Sequence, residues 1–133
     1  MSDDHVPMEG SVATVERTFT REEVAQFAEL SRDHGTHHLE PDEDDRVLVH
    51  GLLLATLPTE VGGQRDVLAR TMSYEFHRPV YSGQLVTCQV QTDEVIEHDD
   101  RWDITSTATC TVDGATVMSA EYSGAIMKTD TGL

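Results

Sequence analysis

Asp33 and His38 stand five residues apart in the run Ser31-Arg32-Asp33-His34-Gly35-Thr36-His37-His38. A carboxylate and an imidazole on one loop can take a proton from a reacting group and return it, the work of general acid–base catalysis. The same loop offers a second chemistry, since imidazole is a common metal ligand and His34, His37 and His38 lie close together in sequence. No cysteine and no third anchored ligand accompany those histidines, so a bound metal is not expected. Twelve positions beyond His38 comes His50-Gly51, which opens an almost wholly apolar stretch to Leu57. At the N-terminus of such a helix the Gly51 N–H would be an orphan donor, suited to a developing negative charge.

These residues need elements to hold them. Thr20 followed by Glu23 forms a capping box, and Val24, Phe27, Ala28 and Leu30 recur at helical spacing. A short amphipathic helix over 21–30 is expected, delivering the chain into the Asp33 loop. An acidic run from Glu40 to Asp45 reads as a solvated loop. From 47 to 62 apolar residues fall on all sides, the pattern of a helix buried all round, with a bend or end expected near Pro58 and a stop at Gly62-Gly63.

Elsewhere the period changes to two. Strands are expected over 12–19, 66–76, 84–97, 101–112 and 116–127. Asp113-Gly114 is a two-residue hairpin signal, and His98-Asp99-Asp100 a polar turn. One strand, a helix pair and four long antiparallel strands make an α+β layout, in which a curved sheet wrapped around one buried helix supplies apolar surface on several sides. With 133 residues, no repeats and no linker, a single domain over 1–133 is expected, with residues 1–10 flexible.

Composition narrows the partners. There are 25 acidic residues against 9 basic ones, and Lys128 is the sole lysine. A net charge of −16 opposes binding to nucleic acid or to an anionic membrane surface. The acidity is spread along the chain, as expected of a protein working in molar salt, where the Debye length is only ~3 Å. The longest apolar run falls short of the ~18 residues of a membrane span. The opening Met-Ser-Asp-Asp-His has no basic-then-apolar leader pattern, so the expected location is the cytoplasm, with Cys88 and Cys110 as reduced core thiols.

The segment Phe27-Ala28-Glu29-Leu30-Ser31-Arg32-Asp33, four residues, His38, then His50-Gly51 at the start of an apolar helix, resembles the MaoC-like hydratases. These are the (R)-specific enoyl-CoA hydratases of the hotdog fold. Their loop reads Ser-Gly-Asp, any residue, Asn-Pro, any residue, His, which puts Ser31, Asp33 and His38 in register. Phe76-His77-Arg78-Pro79-Val80 resembles the family's Phe-Arg-Pro-Val strand exit. Two departures stand in the loop: Arg32 replaces the family's Gly, and Gly35-Thr36 replaces Asn-Pro, so the asparagine side chain is missing.

The resemblance implies a hotdog enzyme that adds water to a trans-2-enoyl-CoA to give an (R)-3-hydroxyacyl-CoA, as in fatty-acid or polyhydroxyalkanoate metabolism. It implies Asp33 and His38 as the catalytic pair, Gly51 as the oxyanion donor, Ser31 as a brace for the loop and Thr59 as an orienting hydroxyl. It further implies an acyl-CoA thioester substrate, no cofactor beyond water and a homodimer. Two other readings share the fold. An acyl-CoA thioesterase would need a carboxylate on the central helix, where Glu60 alone is available. A non-catalytic acyl-CoA-binding subunit would account for the lost Asn-Pro.

Overall fold

In the computed structural model, residues 6–128 are described; residues 1–5, part of the segment expected to be flexible, lie outside them. The elements run β1 (Val12–Thr18), α1 (Arg21–Ser31), α2 (Thr36–Leu39), α3 (Gly51–Leu54), α4 (Thr56–Gln64), β2 (Val67–Phe76), β3 (Leu85–Glu97), β4 (Arg101–Val112) and β5 (Ala115–Met127). The strands form one sheet in the order β1-β3-β4-β5-β2, with every neighbouring pair antiparallel.

Local chemistry accounts for the element ends. Thr20 Oγ1 accepts from the Glu23 N–H and the Glu23 carboxylate accepts from the Thr20 N–H, so the expected capping box starts α1. Asp113 and Gly114 both have positive φ, 51° and 81°, the twist that a tight β4–β5 hairpin needs. His98 N–H donates to Arg101 O at 2.8 Å and closes the β3–β4 turn.

The buried helix starts at Gly51, at the expected His50-Gly51 entry, so the first part of the apolar run lies outside it. Residues 47–49 are extended instead: Val49 N–H donates to Val80 O and Ser82 N–H to Val47 O, so these groups are satisfied by a strand-like pairing. The helix breaks at Ala55, one turn before Pro58. The proline lacks the N–H that would bond to Leu54 O, and its ring crowds that carbonyl. Past Gly62-Gly63 the helix continues to Gln64, and Arg65 N–H bonds back to Gly62 O. A short helix unmarked by the periodicity, α2, holds His37 and His38. Of the segment expected to be flexible, residues 9–10 are tied down. Gly10 N–H donates to Thr92 O, and the Glu9 carboxylate accepts from Val95 N–H.

α4 lies across the concave face of the sheet. Leu57 and Val61 pack with Val86, Cys88 and Val90 of β3, Ala108 and Cys110 of β4, and Met118 and Ala120 of β5. Cys88 and Cys110 face each other across strands as free, buried thiols. β2 is an edge strand, and Met72 and Phe76 on it are half exposed.

Candidate active site

α1 ends where Arg32 turns left-handed, φ 64°. That turn throws Asp33 back toward the body of the protein. Ser31 Oγ accepts from the Asp33 N–H at 3.1 Å, and Asp33 Oδ1 accepts from the Gly35 N–H at 3.1 Å. Two short-range side-chain-to-backbone bonds thus fix the loop, the usual work of Ser and Asp in turns. The Gly35 amide is the largest reason the Asp33 carboxyl lies below its ordinary range; the nearby imidazoles of His38, His50 and His37 act in the same direction. Burial, second in size only to the amide, acts the other way, although the carboxylate stands largely exposed at the mouth of the site.

α2 carries His38 inward, to 6% exposure. Its Nδ1 lies 2.6 Å from Leu48 O. A carbonyl only accepts, so Nδ1 carries the proton and neutral His38 presents a bare Nε2. That Nε2 faces Asp33 Oδ2 at 3.6 Å. Two basic atoms therefore look into the same space without bonding to each other.

His50 completes the cluster. It is 3% exposed, and its Nε2 lies 3.1 Å from Asp33 O. Its ring stacks on that of His38, with centroids 3.6 Å apart and planes 14° apart. Phe27 of α1 meets the other face of the cluster edge-on, 4.9 Å from His50, and the His37 ring lies 4.1 Å from His38. By sequence position His50 is a helix-entry residue before it is a ligand or base. An imidazole inside an otherwise apolar stretch was the signal available, since a buried polar ring needs a partner.

Ser31, Asp33, His38, His50 and Gly51 all line one cleft of about 660 Å³, closed on the far side by Phe76, Arg78 and Pro79. Gly51 has a packing reason to be glycine: a Cβ there would fall 2.9 Å from the Phe76 ring. Its N–H stands at the start of the helix. Thr59 is not part of this cleft. Its hydroxyl donates to Ala55 O at 2.9 Å, and it lines a separate apolar cavity of about 220 Å³ beside Val61, Val90 and Ile126. Ala55 O accepts from Thr59 Oγ1 and Thr59 N–H together, which keeps the hydroxyl against its own helix.

Of the histidines considered as metal ligands, His37 and His38 lie ring against ring, while His34 faces Glu29 at 3.5 Å. Asp33, His38 and His50 do bring ligand atoms within 4.8 Å of one another. The nitrogens of the stacked rings not bonded to carbonyls are His38 Nε2 and His50 Nδ1. His38 Nδ1 and His50 Nε2 are already committed to carbonyls.

No family model matches the chain. The (R)-specific enoyl-CoA hydratase of Aeromonas caviae is 35% identical over 91 residues, spanning 62% of this chain and 68% of that one. The solved structure of the Aeromonas caviae (R)-hydratase involved in PHA biosynthesis superposes with a TM-score of 0.78 at 30% identity, over 89% of this chain and 96% of that one. The chain belongs to the MaoC-like (R)-specific enoyl-CoA hydratase family. It is therefore an enzyme of the carbon–oxygen lyase class with the hotdog fold. Two further structures share the fold at lower identity. R-hydratase PhaJ1 of Pseudomonas aeruginosa has a TM-score of 0.76 at 16% identity, over 98% of this chain and 92% of that one. The MaoC-like dehydratase of Rhodospirillum rubrum has 0.76 at 10%, over 95% and 97%.

Against the hydratase loop pattern, Gly35 departs most. A Cβ there would meet the His37 ring at 2.9 Å, so His37 fills the space a side chain at this position would need. The Asp33–Gly35 bond closes the loop without the family's asparagine.

Proposed function

We propose that this hydratase adds water to trans-2-enoyl-CoA thioesters to give (R)-3-hydroxyacyl-CoA, with Asp33 and His38 as the acid–base pair. The observation that carries the reading is the facing of Asp33 Oδ2 and His38 Nε2, 3.6 Å apart at the wall of the cleft, each with a free lone pair. A water held between them loses a proton to the pair as its oxygen forms the C–O bond at the β-carbon. The electron pair of the double bond moves through the α-carbon onto the thioester oxygen. The Gly51 N–H stabilises that enolate oxygen. The proton then passes from the pair to the α-carbon, which restores the thioester. Run backward, the same steps dehydrate.

The substrate class is supported by the cleft itself. Leu52, Leu54 and Phe76 offer an apolar wall for an acyl chain. Arg78 at its rim has no ion pair among the described residues, in a chain of net charge −16, which leaves it for the phosphates of CoA. No metal or organic cofactor enters the scheme. The thioesterase reading lacks its carboxylate, because Glu60 is exposed and ion-paired with Arg17 at 3.0 Å, away from the cleft.

A homodimer is part of the proposal. β2 presents an unpaired backbone edge, and the half-exposed Met72 and Phe76 share one of its faces, so a second copy pairing there would cover both. The test is direct. Crotonyl-CoA in ~1 M salt should lose its enoyl absorbance, and the product should be oxidised by a dehydrogenase specific for (R)-3-hydroxyacyl-CoA. Absence of turnover on short and medium enoyl-CoAs, or release of free CoA thiol in its place, refutes the reading.

A further inference from the structure

We infer that His50 is a positioning residue that holds the Asp33 carboxylate and the His38 ring in register with each other; the inference builds on the acid–base reading proposed above. Three observations converge on it. His50 Nε2 lies 3.1 Å from the Asp33 carbonyl oxygen, so it must be the protonated nitrogen and donates to the backbone of the residue whose side chain does the work. Its ring lies flat on the His38 ring, centroids 3.6 Å apart, and Phe27 backs it edge-on. Its other nitrogen, Nδ1, is buried with no partner among the described residues.

That last point discriminates. A buried, unpaired nitrogen is unfavourable, and a flat apolar ring, as of phenylalanine, would stack there without it. An imidazole at this position is accounted for by its Nε2–H. The two histidines are set in opposite tautomers by two backbone carbonyls: Leu48 O holds the proton on Nδ1 of His38, and Asp33 O holds it on Nε2 of His50. Asp33 is thereby tied twice, its side chain by the Gly35 amide and its carbonyl by His50. The tie also fastens the loop to the residue preceding α3, so the catalytic pair and the Gly51 N–H move as one unit.

Two variants separate the donor from the ring. His50→Phe keeps the stack and removes the donor. His50→Gln removes the stack and keeps an amide donor near the place of Nε2. With crotonyl-CoA, His50→Phe should lower kcat by about 10²-fold, the loss expected from misplacing a catalytic group by ~1 Å, with KM within about threefold. His50→Gln should recover kcat to within about tenfold of wild type. A second readout needs no turnover. In alkaline solution, where imidazoles are neutral, ring-nitrogen NMR should show His50 with Nε2 protonated and Nδ1 bare, and His38 the reverse. The Gly35 amide should exchange with solvent faster in His50→Phe than in wild type. The inference is overturned if His50 carries its proton on Nδ1, if Gly35 exchange is the same in both proteins, or if His50→Phe keeps wild-type kcat. A wild type that turns over no enoyl-CoA refutes the proposed function instead, and the NMR then still decides whether His50 holds the Asp33 loop.

Discussion

At the level of single residues, the site is a set of lone pairs aimed by backbone groups. Leu48 O makes His38 Nε2 a base, and the Gly35 N–H keeps Asp33 ionised. A consequence for pH follows. The folded Asp33 pKa lies below the ordinary carboxylate value, so its ionised form favours the folded loop at pH above that value. That contribution is lost as pH falls through the lowered folded pKa, under ~3.8. Gly35→Pro suits the local φ of −54° and deletes the donor, and is made in a His37→Ala background and compared with His37→Ala alone, because its Cβ would otherwise meet the His37 ring. It should move the Asp33 titration upward, read by carboxyl-carbon NMR; an unmoved titration would show that the amide is not the cause. Asp33 and His38 were legible in the sequence because the loop is local and its residue types are unusual together. His50 was not, since its partner is the backbone of a residue seventeen positions away, and residue identities do not reveal what a carbonyl accepts.

Among the elements, the helix that carries Gly51 depends on what leans against it. The approach of the Phe76 ring from β2 leaves no room for a side chain at Gly51. Gly51→Ala should therefore destabilise by about 1–3 kcal/mol, the usual cost of overpacking. Adding Phe76→Leu should recover much of that loss in thermal melts. Equal melting temperatures for wild type and Gly51→Ala would mean that the ring swings away freely. Strand and hairpin positions were readable, since alternation and Asp113-Gly114 are local signals. The extended form of residues 47–49, ahead of the helix, was not. Residues 47–49 are as apolar as those that follow, and periodicity cannot separate a buried strand-like run from a buried helix. Pairing with Val80 and Tyr81 decides the matter, and that pairing is non-local.

For the whole molecule, charge is the dominant feature. The nine Lys and Arg pair locally in part, as in Arg21–Asp45, Arg46–Asp42 and Lys128–Glu97, but the carboxylates outnumber them. We propose adaptation to high salt: repulsion among the carboxylates reaches over a Debye length that grows from ~3 Å at 1 M to ~10 Å at 0.1 M. The melting temperature should fall, or the proposed dimer dissociate in sedimentation, across that change; invariance in both would show that the charge has another origin. The central claim is that Asp33 and His38 act on one water as a unit. The most direct measurement is kcat on crotonyl-CoA for Asp33→Asn, His38→Ala and the double variant, with acyl-CoA affinity measured alongside. The account predicts a loss of ~10²–10⁴ in each single variant, little further loss in the double, and affinity nearly unchanged. Full turnover by Asp33→Asn would contradict it.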